Sequence, residues 1–172
     1  MTEGARLDFD YEAIRAYIRA SSPQSVIMIG CDSLRKGGHG KAFANYATVV
    51  CIRRATGEGR NIVYHGCKVF GAMARLPDYG RVVKSGKLAG LKTRLLQEVA
   101  FALEAFENLY EVIGDRPFEL HLDINSRPEW ESHTALAEAR GYVLGVAGIE
   151  PCFKPNALAA SFAADYWVRG LI

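Results

Sequence analysis

Short apolar runs alternate along this chain with longer segments of helical periodicity. Phe9, Ile14, Tyr17 and Ile18 share one side of a helix over Phe9–Ala20, which Ser21-Ser22-Pro23 ends. Val26–Cys31 is the first continuous apolar run and reads as a strand. A turn rich in glycine and positive charge follows over Leu34–Lys41, then β-rich runs over Tyr46–Arg53 and Asn61–Phe70, with Thr56-Gly57-Glu58-Gly59 as the hairpin turn between them. Three successive strands with short turns predict an antiparallel meander. After a loop at Pro77–Gly90 comes the longest helical pattern, Leu91–Tyr110. Phe118–Ile124 alternates as a fourth strand, Glu129–Val146 is helical, Gly148–Phe153 is a short fifth strand, and Pro155 opens a last helix over Asn156–Arg169. The last two strands alternate with helices, so they join as parallel crossovers. The expected fold class is α/β: one mixed five-stranded sheet in the order βββαβαβα, with an extra N-terminal helix.

Polar positions interrupt this pattern at three places. Asp32 ends the first strand, and Asp123 ends the fourth. If those strands are parallel neighbours, both carboxylates lie at the carboxyl edge of the sheet, where α/β folds bind ligands. On the long helix Leu91, Leu95, Glu98, Ala102, Ala105 and Leu109 form one stripe, apolar except for Glu98. No basic residue lies on that stripe, and three carboxylates meeting without cations repel one another. A divalent cation with oxygen ligands, Mg²⁺ or Mn²⁺, resolves the repulsion. Each residue also has a structural reading: the aspartates as turn formers, and Glu98 as a surface residue if the helix phase is off by one position.

Composition adds bounds rather than a function. At 172 residues the chain reads as a single domain over 1–172, with 1–22 as a helical lead-in. The net charge of +2 does not by itself announce a nucleic-acid binder. Cys31, Cys51, Cys67 and Cys152 form no C-x-x-C pair and read as small buried hydrophobes of a reducing compartment, so a cytoplasmic protein is expected. No run is long enough to cross a membrane.

GCDS after an apolar strand, LKTRLLQE, LHLDIN and FKPNALAASFAAD, in this order, resemble the YkuK-type proteins of the ribonuclease H-like superfamily. The resemblance runs from about Val26 to Asp165 and implies the fold derived above. It also implies a two-metal nuclease site, with Asp32 bridging both ions and Glu98 and Asp123 as further ligands. The fourth ligand is expected at the start of the last helix, where Asn156 stands in place of an acidic residue. Asp165 also looks like a family aspartate. On a regular helix it lies half a turn out of phase with Asn156 and about 13 Å further on, so one of the two reaches the metals and not both. Asn156 is taken as the nearer. Arg169, four residues after Asp165, suits a surface ion pair with it.

The expected partner is RNA, DNA or a hybrid of the two. Its phosphates would meet Arg35, Lys36 and Lys41 in one basic loop, Arg81, Lys84 and Lys87 in another, and Lys154 before the last helix. His121 shares a strand face with Asp123 and is a candidate to touch the site. Metal-dependent hydrolysis of phosphodiester bonds is the first reading. A nucleic-acid-binding or scaffold domain that kept the fold but lost turnover, with Asn156 as the lesion, is the second.

Overall fold

The computed structural model describes residues 6–36, 43–78 and 87–170, the side chains of 87–89 excepted. The elements are β1 (Arg6–Leu7), α1 (Tyr11–Ala20), β2 (Val26–Lys36), β3 (Phe43–Thr56), β4 (Val63–Pro77), α2 (Lys87–Ile113), β5 (Phe118–Asn125), α3 (Leu136–Ala147), β6 (Cys152–Lys154) and α4 (Asp165–Val168). A wide π turn over Ala159–Ala164 runs directly into α4. The strands form one sheet in the order β1-β4-β3-β2-β5-β6. β2, β3 and β4 are the expected antiparallel meander, and β2–β5 and β5–β6 are parallel.

The sheet has six described strands where the sequence pattern predicts five. The addition is the two-residue β1, which pairs with Ala74 and Met73 of β4 and is too short to carry a period. The meander strands also outrun their apolar cores. β2 continues through Leu34-Arg35-Lys36, read above as a turn, because its backbone stays paired with Phe43-Ala44-Asn45 of β3. The expected last helix begins later: Pro155 and Asn156 lie in a turn, with Asn156 N–H donating to the Phe153 carbonyl at 2.9 Å.

The sheet separates two unequal layers. On one face Ile27, Ile29 and Cys31 of β2, Val50 and Ile52 of β3, and Leu120, Leu122 and Ile124 of β5 pack against α1, α2 and α3. The stripe predicted on α2 is the one buried there: Leu95, Ala102, Ala105 and Leu109 are all at most 3% exposed, and Leu91 packs against the same core. On the other face, among the described residues, Val26, Met28, Val49 and Cys51, with Val69 beside them, meet the last helical segment through Ala159, Ala164 and the flanking Ala163 and Trp167. Two glycines make that close approach possible. A Cβ on Gly30 would stand 2.6 Å from the backbone nitrogen of Ala160, and one on Gly71 would stand 2.2 Å from the Trp167 ring. The cysteines are free; Cys31 and Cys51 are buried as expected, whereas Cys67 on β4 is exposed. Among the described residues no helix is long and apolar enough to cross a membrane.

Candidate active site

In the parallel register Cys31 of β2 lies opposite Leu122 of β5, so the next residues, Asp32 and Asp123, are neighbours at the carboxyl edge. Strand alternation turns both toward the single-helix face, since Cys31 and Leu122 belong to the opposite core. Glu98, 3% exposed, comes from α2 on the three-helix side, where Ser33 also points. Asp32, Glu98, Asp123 and Asp165 all line one open cavity of about 350 Å³, together with Ser33, Arg94, Lys154, Ser161 and Arg169.

Asp165 is therefore the fourth carboxylate of this cavity, and the expectation that Asn156 stands nearer is reversed. Asn156 is exposed, in the turn before the helix, and does not line the cavity. The π turn explains what comes after it. From Leu158 to Arg169 the residues sort into stripes at a spacing of four, wider than the α-helical period. Ser161, Asp165 and Arg169 face the cavity; Ala160, Ala164 and Val168 are buried on the sheet; Leu158, Phe162 and Tyr166 are exposed.

The carboxylates are not without cations, contrary to the expectation for the Glu98 stripe. Arg94, one turn before Glu98, places a guanidinium nitrogen 3.1 Å from Glu98 Oε1 and donates also to the Ser33 carbonyl and hydroxyl. The Ser33 hydroxyl donates to the same Glu98 oxygen at 2.5 Å. Asp123 Oδ1 accepts from Lys154 Nζ at 2.8 Å and from Ser161 Oγ at 2.8 Å. Asp165 Oδ1 accepts from Arg169 Nε at 2.5 Å, the expected ion pair. Among the described residues Asp32 is the one of the four in no ion pair. Burial, then the neighbouring charge of Asp123, push its carboxyl up to about 6, with Asp165 adding to the rise. Burial first, then Asp32, also push Glu98 well above the ordinary carboxylate range, against the pull of Arg94 and Ser33.

This donor set fits a hard divalent cation. It is made of carboxylate oxygens, and Asp32 is a half-covered charge lacking a counter-ion. Asp32, Glu98, Asp123 and Asp165 would hold such an ion, while Arg94, Lys154 and Arg169 present positive charge to a phosphate at the same mouth. Ser33, Arg94 and Ser161 were missed in the sequence. Arg94 was readable as the residue four before Glu98, and Ser161 as the residue four before Asp165.

Other expected residues lie elsewhere. Arg35 pairs with the buried Asp78 at 2.9 Å, a partner not visible in the sequence across 42 intervening positions. Lys36 is exposed at the end of β2. Lys41, Arg81 and Lys84, and the side chain of Lys87, lie outside the described residues.

His121 does not line the cavity. It is 1% exposed, accepts from Ala159 N–H on Nδ1 at 2.9 Å, and bonds Glu119 through Nε2 at 2.9 Å. With Nδ1 accepting, Nε2 carries the proton. Glu119, His121 and Cys152 are a second possible metal-holding group, with ligand atoms within 4.8 Å of one another. Their mixed nitrogen, sulfur and oxygen donors suit zinc better than magnesium. A metal there would have to displace the Nε2 proton and the Cys152 proton, which burial and Glu119 hold on the thiol. A larger cavity, about 480 Å³, lies at the other end of the sheet between the end of α1 and the β3–β4 hairpin, with no carboxylate in its lining.

A family model described as ribonuclease H-like matches residues 11–169. No match is found among curated proteins or among solved structures.

Proposed function

The chain belongs to the ribonuclease H-like family, and we propose that it is a metal-dependent nuclease that hydrolyses phosphodiester bonds in RNA, DNA or a hybrid, with Mg²⁺ or Mn²⁺, in the cytoplasm. The observation that carries this reading is the convergence of Asp32, Glu98, Asp123 and Asp165, from two strands and two helical segments, on one open cavity that also holds three basic side chains. A divalent ion bound by such carboxylates supplies an activated water and charge stabilisation for a leaving oxygen. The chain's own residues prepare the rest. Ser33 and Arg94 fix the Glu98 carboxylate, Ser161 fixes Asp123, and Lys154 and Arg169 stand where the phosphate charge of a polyanion would enter. The free, partly buried cysteines agree with a reducing compartment.

A second reading, a binding domain without turnover, draws on the same basic side chains, because three of the four carboxylates already have a cationic partner. Its original ground, a missing fourth carboxylate at Asn156, is weakened by Asp165. Labelled single-stranded, duplex and hybrid oligonucleotides separate the two. Cleavage in Mg²⁺ or Mn²⁺, abolished by EDTA and reduced about a hundredfold or more in Asp32→Asn, is the expected result. Binding without cleavage in either metal, unchanged by Asp32→Asn, leaves the binding domain.

A further inference from the structure

Lys154 is the last residue of β6, and its backbone is set by pairing with Asn125 and by the Ser126 hydroxyl, which donates to its carbonyl at 3.3 Å. Its side chain, partly exposed, turns along the cavity wall toward a carboxylate. Its ammonium sits 2.8 Å from Asp123 Oδ1, on the same oxygen that Ser161 engages, and inside the cavity lining. A lysine ammonium is a compact point charge, closer to a metal ion in character than the spread charge of a guanidinium. The two arginines are differently placed. Arg94 directs one guanidinium nitrogen, Nη1, at the Ser33 carbonyl and hydroxyl as well as at Glu98, and Arg169, more than half exposed, pairs with Asp165.

With all four carboxylates ionised, the cavity sets four negative charges against three positive side chains. That leaves a net charge of −1, which one divalent ion takes to +1 and a second would take to +3. Two would leave a strong excess of positive charge, with one of them directly beside the Lys154 ammonium. The carboxylate without an ion pair, Asp32, is also the one flanked in register by Asp123, which marks where the single ion belongs.

We propose that Lys154 is a built-in cation of this site: its ammonium takes the second cation position at Asp123, so the chain binds one divalent ion, at Asp32, where the family resemblance implies two. The proposal rests on reading the cavity as a metal site. It makes Lys154 a residue that sets metal number, with its charge available to a bound phosphate beside the ion.

The test counts metal directly, without nucleic acid. Mn²⁺ is titrated into the full chain, and the free ion is followed by electron paramagnetic resonance. The wild type is expected to bind one Mn²⁺ per chain, with any second site at least about tenfold weaker. Lys154→Met is expected to bind two, and Lys154→Arg, which keeps the charge, one; circular dichroism confirms that both variants are folded. Two sites of comparable affinity in the wild type overturn the proposal, as does a folded Lys154→Met that still binds only one. The nuclease reading is scored apart from this. One bound ion with no metal-dependent cleavage leaves the proposal standing and removes the nuclease; two bound ions with cleavage do the reverse.

Discussion

The two faces of the sheet are built on opposite principles. The three-helix face is a large aliphatic and aromatic core, with the 27-residue α2 laid along it through Leu95, Val99, Ala102, Leu109 and their neighbours. Among the described residues the single-helix face is covered by one short segment whose contacts are alanines and Trp167, and its close approach needs Gly30 of β2 and Gly71 of β4 beneath it. Yet three of the four site carboxylates, Asp32, Asp123 and Asp165, belong to that thinner face, and only Glu98 comes from the other. The thick face holds the molecule together; the thin face brings a helix backbone close enough to the strand ends for its side chains to share a cavity with theirs. Stability and site geometry are thus largely assigned to different sides of one sheet.

That division is broken most severely by removing bulk from the thick face. Leu109→Ala deletes a fully buried side chain and should cost about 2–5 kcal/mol in urea unfolding. Mn²⁺ affinity at temperatures where the variant is folded should barely move, because Leu109 lies three turns along α2 from Glu98. Gly30→Ala is the converse. Its Cβ would collide with the Ala160 backbone, which has no flexible end to swing aside, so the last segment must lift. The expected cost is smaller, about 1–3 kcal/mol, but Mn²⁺ affinity should fall at least about tenfold, since Ser161 and Asp165 ride on the displaced segment. Equal losses of affinity in the two variants would show that the faces are not separable.

The same division decides what was legible beforehand. The thick face obeys simple periods, so the α2 stripe, the parallel neighbours β2 and β5, and the convergence of Asp32, Glu98 and Asp123 on one edge could all be read from spacing. The thin face does not. Its last segment starts after Asn156 and opens with a π turn over Ala159–Ala164, neither of which the spacing announces, so a phase count from Asn156 on a regular helix picked the wrong residue. What stayed hidden elsewhere depended on distant partners. Arg35 reads as free until Asp78 is seen beside it, and the strand character of Leu34-Arg35-Lys36 comes from β3 and not from its own residues.

Acidity probes the comparison more gently. In the metal-free protein the Asp32 carboxyl sits at about 6 against an ordinary value of 3.8. A folded value above the unfolded one means that folding takes up a proton. The resulting stability is fully present below about pH 4 and is lost as pH rises through about 6. Glu98 is shifted in the same direction. In EDTA the melting temperature should therefore be higher near pH 5 than near pH 7.5 by a few degrees, and saturating Mg²⁺ should remove most of that difference by favouring the ionised carboxylates. Asp32→Asn in EDTA should show a flatter profile. A wild-type melting temperature that rises steadily from pH 5 to 7.5 without metal contradicts the assignment.

The smallest effect is expected at Arg169. Its pair with Asp165 is on the open side of the cavity, where solvent screens it and where long side chains lose entropy in holding one geometry, so Arg169→Gln should leave the melting temperature almost unchanged. Metal binding should respond more than stability does. Freed of its guanidinium partner, Asp165 offers the cavity an additional uncompensated charge, and Mn²⁺ affinity should rise by a few-fold. The direction is what matters: if the arginine instead helped to organise the cavity, its loss would weaken binding. A rise makes Arg169, unlike Lys154, a side chain that holds its carboxylate only while no metal is bound, and extends the contrast between the faces to the last helical segment, where Ala164 and Val168 serve packing and Asp165 and Arg169 serve charge.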